Sequence, residues 1–281
     1  MIVHYAILTH NRVNSLIKLI ESIFRQDHDN VEYTITIFDN DSNEECRRIF
    51  FASPYSSHSK LFYIISPENT FMAGKYHIEK HILGCYKKDN ETFIAHLDDD
   101  VVLSPVWLQK TLSSCVESGW HACGSVEIIE NTLTYSGQKQ LLIDSVCVNN
   151  NTIKIWKWEI EKLSKHERSS EVAFAGHRAI LVRIEANEQV LHDPKMLIGG
   201  EDIDFSLSLR KKGFKIGIHH DAFITHRNFG EQDASDFRIP SRILMSWEHF
   251  FRKWGFVRNN VYRELNISET KWLEIVSAWI N

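Results

Sequence analysis

The 281-residue chain is long enough for one large hydrophobic core with a small appendage. Its formal net charge of -5 argues against a nucleic-acid-binding protein, because such proteins are usually basic. The five cysteines are scattered without a CxxC pair, which favours neither a disulfide framework nor a structural zinc site of cysteines. The sequence starts with only a strand-length apolar run, without the features of a signal peptide, and contains no membrane-length apolar stretch, so we expect a cytoplasmic protein.

The first hundred residues alternate strand patterns with helix patterns. Strands are predicted at residues 2–8, 33–38, 61–65 and 92–97. Helices are predicted after Asn14, over about 73–86, and after the capping pair Ser104 and Pro105. This alternation implies right-handed crossovers and a mostly parallel sheet, in which ligands bind beyond the carboxyl ends of the strands.

The second half of the chain is less regular. Residues 130–170 are expected to add strands and loops that cover the site, followed by a strand at 173–182. A helix is predicted over 201–212, ended by Gly213, with short strands at 214–218 and 222–225. From about residue 235 the chain is predicted to be helical and rich in aromatic residues, among them Trp247 and Phe250.

This aromatic tail has two interpretations. It packs on the rest of the protein or forms a homodimer interface, which we favour. Alternatively it makes peripheral contact with a membrane surface, where Arg242, Arg252, Lys253 and Arg258 suit anionic headgroups.

Three consecutive carboxylates, Asp98, Asp99 and Asp100, follow the fourth predicted strand. In an extended segment, Asp98 and Asp100 point to one side and Asp99 to the other. Such carboxylates repel one another unless a cation or hydrogen-bond donors balance them. A hard divalent cation, completed by substrate phosphates, supplies that balance. The alternative is a solvated acidic turn, which the preceding apolar strand disfavours.

A second acidic group follows two glycines. Gly199 and Gly200 permit close backbone approach, and Glu201 and Asp202 open a predicted helix, where the helix dipole favours anions. A general base requires an ionised carboxylate. Acidic residues also occur in first turns for structural reasons alone, so that interpretation stays open.

Four short segments along the chain form a recognisable set of motifs. They are Leu8-Thr9-His10-Asn11-Arg12, Phe38-Asp39-Asn40-Asp41-Ser42, Leu97-Asp98-Asp99-Asp100, and Gly200-Glu201-Asp202-Ile203-Asp204-Phe205 with Arg210 and Gly213. Together they resemble the GT-A glycosyltransferases of the inverting family 2. The resemblance implies an α/β fold, with a Rossmann-like mixed sheet flanked by helices. It implies a catalytic domain at 1–230, with a nucleotide-binding half at 1–103 and an acceptor half at 104–230, and a C-terminal helical extension at 231–281.

The resemblance also assigns roles to individual residues. Asp202 is expected to be the catalytic base, with Glu201 orienting the acceptor. Asp100 and His226 are expected to bind Mn²⁺ or Mg²⁺. The donor nucleotide is expected to be bound by Thr9, Asn11, Arg12, Asp39, Lys75, Asp98 and Asp99.

The resemblance implies an inverting, metal-dependent glycosyltransferase of polysaccharide biosynthesis. Its co-substrate is a nucleotide-diphosphate sugar, with UDP-sugars favoured, and its acceptor a carbohydrate, glycolipid or glycopeptide. One alternative is a sugar-nucleotide nucleotidyltransferase, although such enzymes usually carry a glycine-rich loop after the first strand and residues 9–14 contain no glycine. Others are a glycoside hydrolase, which needs two carboxylates but no nucleotide, and a non-catalytic carbohydrate-binding or scaffolding protein.

Overall fold

The computed structural model describes residues 1–86, 91–129, 132–135, 137–138, 141–157, 169–176, 178–226 and 239–280. Its strands are β1 (Ile2–Thr9), β2 (Glu32–Asp39), β3 (Leu61–Ile65), β4 (Thr92–Asp98), β5 (Val101–Leu103), β6 (Ala122–Ile129), β7 (Thr132–Tyr135), β8 (Gly137–Gln138), β9 (Leu142–Val148), β10 (Asn151–Lys157), β11 (Ser169–Glu171), β12 (Phe174–Ala175), β13 (Ala179–Arg183), β14 (Ile216–His226) and β15 (Phe256–Arg258). Its helices are α1 (Val13–Phe24), α2 (Glu44–Phe51), α3 (Gly74–Cys85), α4 (Trp107–Glu117), α5 (Ile184–Gln189), α6 (Glu201–Lys211), α7 (Pro240–Trp254), α8 (Val261–Glu264) and α9 (Glu269–Ala278).

The described strands build a mixed ten-stranded sheet in the order β11-β14-β6-β13-β4-β1-β2-β3, with β5 on β14 and β7 on β6. The part formed by the first hundred residues is parallel: β1 pairs with β2 and β4, and β2 with β3. The strand β13 is antiparallel to both β4 and β6. The four strands predicted for this half are present, and the predicted α/β mixed sheet is confirmed.

Helices cover both faces of this sheet because its strands are apolar on both sides. Tyr5 and Ile7 of β1 pack with α1 and α4 in one core, whereas Ala6 between them packs with Ile78 and Ile82 of α3 in another. This alternation follows from the two-residue period of a strand. Burial on both faces is typical of parallel sheets.

The carboxyl ends of the parallel strands lie at one edge. In the pairing of β1 with its neighbours, Thr9 is opposite Asp39 and Leu8 is opposite Asp98. The polar residues after these strands are therefore brought together by the register alone.

The C-terminal helices pack on α6. Trp247 and Phe250 of α7 are buried in a core that also contains Ile203 of α6 and Trp272 of α9. This extension is not purely helical, because β15 pairs in parallel with β10 in a three-stranded sheet. The predicted division at residue 230 lies outside the described residues and stays a prediction. None of the described helices is long and apolar enough to cross a membrane.

Two predicted strand patterns differ from the structure. In place of two strands at 214–218 and 222–225 there is one strand, β14, which begins at Ile216, and its pairing with β6 resumes after a register shift between Ile218 and Phe223. The segment 173–182 is divided between β12 and β13. The helix predicted after Pro105 begins at Trp107.

Candidate active site

The first aspartate after the apolar part of β4 is paired with a buried lysine. The Nζ atom of Lys75, in the first turn of α3, donates to Asp98 Oδ1 at 3.0 Å. Burial alone lowers the pKa of Lys75, but Asp98, Glu201 and Asp202 outweigh it and raise the pKa above its ordinary value. The ammonium group of Lys75 therefore lies among carboxylates from two distant parts of the chain.

The second aspartate is turned toward β1. Asp99 Oδ2 accepts from Thr9 Oγ1 at 2.8 Å, and Asp99 Oδ1 accepts from Arg12 at 3.2 Å. Burial, opposed by Arg12 and reinforced by Asp100, raises the pKa of Asp99 to about 7. Asp99 thus joins the loop after β1 to the loop after β4.

The third aspartate faces a histidine from β14. Asp100 Oδ2 lies 2.6 Å from Arg12 Nη1 and 3.1 Å from His226 Nε2, while His226 Nδ1 lies 3.2 Å from Glu127 Oε1. Hydrogen bonds to Asp100 and Glu127 raise the pKa of His226 to about 9. Burial raises the pKa of Asp100, but the contacts with His226 and Arg12 outweigh it, so this pKa lies below its ordinary value.

The expected alternation of the three aspartates is wrong. β4 ends at Asp98, and Asp99 and Asp100 form a turn before β5. Because the turn breaks the extended geometry, Arg12 contacts both Asp99 and Asp100, whereas Asp98 pairs with Lys75.

The second pair of acidic residues opens α6. Burial, followed by repulsion from Asp202, raises the pKa of Glu201 to about 7, against the attraction of Lys75. Burial also raises the pKa of Asp202, opposed by the N–H of Ile203, which donates to Asp202 Oδ1 at 2.8 Å, and by the charge of Arg258. Within the described structure, the buried Oε2 atom of Glu201 has no hydrogen-bond partner.

Two glycines set the direction in which α6 begins. Gly199 and Gly200 have φ angles of 80° and 83°, in the left-handed region that favours glycine. A Cβ atom on Gly200 would lie 3.1 Å from Met196 Cε and 3.4 Å from Trp247. The C-terminal extension therefore packs directly against the backbone that presents Glu201 and Asp202.

Two predicted donor-binding residues lie at or just after the carboxyl ends of β1 and β2. Asp39 is fully buried, and its carboxylate accepts from Arg47 Nε at 2.6 Å and from the N–H of Ser42 at 2.7 Å. Asn11 has a φ of 56° and accepts from the N–H of Asn43 at 2.7 Å. The side chains of Asp39 and Asn11 thus both bind the backbone of the loop after β2, and their contact with a nucleotide stays a prediction.

Three charged residues of the site were not predicted. Glu127 of β6 forms an ion pair with Arg178, which precedes β13 and whose charge also acts on Asp100 and Asp202. Arg258 of β15 acts on Asp202 and forms an ion pair with Glu264. A charged residue within the apolar run of β6 was the available signal for Glu127.

The sequence profile of the family described as "Glycosyltransferase like family 2" matches residues 4–263. The chain belongs to this family. This confirms the resemblance carried by the four motifs and supports a role in glycosyl transfer. No curated protein matches the sequence significantly.

Solved structures with the same fold are distant in sequence. The structure described as GalNAc-T7 with UDP, GalNAc and Mn²⁺ superposes with a TM-score of 0.61 and 11% identity, over 99% of this chain and 54% of that one. S. aureus TarS 1–349 gives a TM-score of 0.60 and 14% identity, over 100% and 80%. Its complex with UDP-GlcNAc gives 0.59 and 15%, over 100% and 81%. The chain thus spans about half of GalNAc-T7, and these similarities confirm the GT-A fold.

Proposed function

We propose that this protein transfers a sugar from a nucleotide-diphosphate donor to an acceptor hydroxyl, with inversion at the anomeric carbon and with a divalent cation. The observation that carries this proposal is the position of Lys75, which donates to Asp98 and whose charge acts on Glu201 and Asp202. Because the ammonium group of Lys75 interacts with all three carboxylates, we infer that the proposed donor side and the proposed base are neighbours.

On the donor side, we propose that the loops after β1 and β4 bind the nucleotide. Thr9, Arg12 and Asp99 form one hydrogen-bonded group, so the two loops have a fixed separation. Asp98 is the most exposed of the three aspartates, with 29% of its side chain accessible, which suits contact with a ribose hydroxyl. Lys75 supplies positive charge for the diphosphate.

The residues proposed as metal ligands fit a divalent cation. Asp100 Oδ2 and His226 Nε2 face each other at 3.1 Å, and a carboxylate with a neutral imidazole suits Mn²⁺ better than Mg²⁺. Because hydrogen bonds to Asp100 and Glu127 raise the pKa of His226 to about 9, a cation held there would compete with a proton for the imidazole. A cation bound there stabilises the negative charge of the departing diphosphate.

On the acceptor side, we propose Asp202 as the general base. The acceptor oxygen attacks the anomeric carbon and gives its proton to Asp202 as the bond between that carbon and the diphosphate oxygen breaks. The N-terminal end of α6 and Arg258 favour the ionised carboxylate that this step requires. The unpartnered Oε2 atom of Glu201 can accept a hydrogen bond from a second hydroxyl group of the acceptor substrate and so orient that substrate.

We propose a UDP-sugar as donor, and an N-acetylhexosamine in particular. The proposal is supported by two structural neighbours, one described with UDP, GalNAc and Mn²⁺ and one with UDP-GlcNAc. The acceptor is proposed to be a carbohydrate, glycolipid or glycopeptide. A cytoplasmic location, peripheral membrane contact and a homodimer stay predictions.

A donor screen tests this function. UDP-, GDP- and dTDP-sugars are incubated with the protein and either Mn²⁺ or Mg²⁺, and release of the nucleoside diphosphate is measured before and after acceptors are added. We expect release with UDP-sugars and Mn²⁺, and weaker metal-dependent UDP binding in Asp100→Ala. Sugar binding without any nucleotide affinity would instead indicate a carbohydrate-binding protein. Formation of sugar nucleotides from sugar phosphates would indicate a nucleotidyltransferase.

A further inference from the structure

A second group of side chains that can bind a metal lies where α3 and α5 meet β4, apart from the residues proposed for catalysis. Glu79 of α3, His96 of β4 and His192 after α5 are all buried. One ligand atom from each lies within 4.8 Å of the other two. Asn187 of α5 borders the same point through its side-chain amide.

The atoms of this group converge as metal ligands do. Glu79 Oε1 lies 2.7 Å from His192 Nδ1 and 3.5 Å from His96 Nε2, and Asn187 Oδ1 lies 2.7 Å from His96 Nε2. Zinc bonds of about 2.0–2.2 Å in a tetrahedral site separate neighbouring ligand atoms by roughly 3.4 Å. One contact already has this separation, and the two shorter ones need to open by roughly 0.7 Å to reach it.

The buried carboxylate of Glu79 requires a positively charged partner. Its side chain has no exposed surface, and a buried carboxylate is unfavourable unless it is paired or coordinates a metal. Burial raises the pKa of Glu79, but the charge and the hydrogen bond of His192, whose Nδ1 lies 2.7 Å from Glu79 Oε1, outweigh it. Lys75, one turn earlier on α3, pairs with Asp98. A divalent cation between Glu79 and the two imidazoles would supply this positive charge without a proton on either ring.

The surroundings hold these side chains in place. Glu79 Oε2 accepts from the N–H of His192 at 2.8 Å, which leaves Oε1 to face the imidazoles. The ring of Phe205 stacks on His192 at 4.3 Å between centroids. Asn187 Nδ2 donates to Glu79 Oε1 at 2.9 Å and to Val190 O at 3.2 Å. Such outer contacts orient ligands in metal sites, and full burial is typical of a structural site rather than a catalytic one.

We propose that Glu79, His96 and His192, with Asn187 Oδ1 as fourth ligand, form a structural zinc site that joins α3, β4 and α5. Two imidazoles with a single carboxylate suit zinc better than Mg²⁺. Zinc displaces the protons now shared within the group. This site is independent of the proposed transferase activity, so either proposal can fail alone.

Metal analysis of the purified full chain tests the proposal. After dialysis without chelator, we expect about one zinc per chain by plasma mass spectrometry. Asp100→Ala is expected to retain this zinc. Glu79→Gln and His192→Gln are expected to lose it, whereas the control His81→Gln, at an exposed position of α3, retains it.

A second measurement does not depend on how the variants fold. The wild-type chain is stripped with a chelator, its fold is checked by circular dichroism, and Zn²⁺ alone is titrated while the melting temperature is followed. We expect uptake of one equivalent with a rise in melting temperature. A natively folded, stripped chain that takes up no zinc, or takes it up equally well as Glu79→Gln, would show that the group is only a hydrogen-bonded network and would overturn the proposal.

Discussion

Lys75 Nζ lies 3.0 Å from Asp98 Oδ1, at the point where α3 meets the end of β4. Burial raises the pKa values of Glu201 and Asp202 at the start of α6, and the charge of the same ammonium group opposes this rise. One buried cation thus connects residues more than a hundred positions apart in the sequence. This connection has a measurable consequence for the pH dependence of transfer.

Lys75→Met is expected to move the acidic limb of the pH–rate profile upward. Lys75 lowers the pKa of Asp202, so its removal raises that pKa, and a general base is active only above its pKa. We therefore expect the acidic limb to lie at higher pH in the variant than in the wild-type chain. The profile of kcat against pH measures it. Lys80→Met, at an exposed position of the same helix, should leave the profile unchanged, and an equal shift in both variants would contradict the proposed coupling.

Asp202→Asn is expected to lower kcat by about 10²–10⁴-fold, the range for loss of a general base. Donor affinity should stay near that of the wild-type chain, because Asp202 is proposed to act on the acceptor. Isothermal titration with UDP and steady-state transfer rates separate the two effects. Asp29→Asn, at an exposed position, is the control for the loss of a carboxylate. Loss of UDP binding together with turnover would argue that Asp202 holds the donor instead.

The part of the site carried by strand ends could be predicted from sequence. The apolar runs of β1 and β4 end in Thr9 and Asp98, and the parallel register then places these ends at one edge. The orientation of Asp99 could not be predicted, because it depends on a turn that the run of three aspartates does not reveal. Arg178 and Glu127 were missed because their ion pair forms only when β13 and β6 lie next to each other.

The packing of the C-terminal helices also could not be predicted from the spacing of apolar residues in the sequence. The aromatic positions of α7 were visible, but the surface that they cover was not. The structure places Trp247 against Gly200, so a residue in the C-terminal extension determines how the acidic start of α6 is held. Contacts between segments so far apart depend on the complete fold, and no local pattern encodes them.

Gly200→Ala is expected to lower kcat by more than its loss of folding stability explains. Its φ of 83° costs an alanine about 1 kcal/mol, and the added Cβ would lie 3.1 Å from Met196 Cε. A few tenths of an ångström of movement must then be shared between Met196 Cε and the start of α6, and we expect the part at α6 to displace Glu201 and Asp202. Urea unfolding and kcat are the two measurements.

Gly213→Ala is the matched control for this change. Gly213 follows the other end of α6, has a φ of 86°, and has no neighbouring atom within 4 Å of an added Cβ. We expect it to lose similar stability, about 1 kcal/mol, with kcat unchanged. Equal losses of kcat in the two variants would show that backbone strain, and not the contact with Met196 and Trp247, lowers activity.

The last prediction concerns the ion pairs that fasten α7 to α6. Lys253 Nζ lies 2.8 Å from Asp204 Oδ1 and 3.2 Å from Asp193 Oδ2, and Asp204 is buried. Lys253→Met leaves the Asp204 carboxylate with Trp254 Nε1 as its remaining donor in the described structure, at 2.7 Å. Because Lys253 is about one-third exposed, with 32% of its side chain accessible, we expect a loss of about 2 kcal/mol, less than for a fully buried pair.

Arg252→Met separates this buried ion pair from a surface one. Arg252 is the neighbouring residue on α7, its side chain is 60% exposed, and it pairs with Glu248 four residues earlier. Such a surface pair contributes only about 0.3–0.5 kcal/mol, so the midpoint of urea unfolding should hardly move. If both variants unfold at the same urea concentration, Lys253 is also a surface contact. The C-terminal extension would then be held to α6 by its apolar core and by the hydrogen bond from Trp254 Nε1 to Asp204, because the carboxylate would need no charged partner from α7.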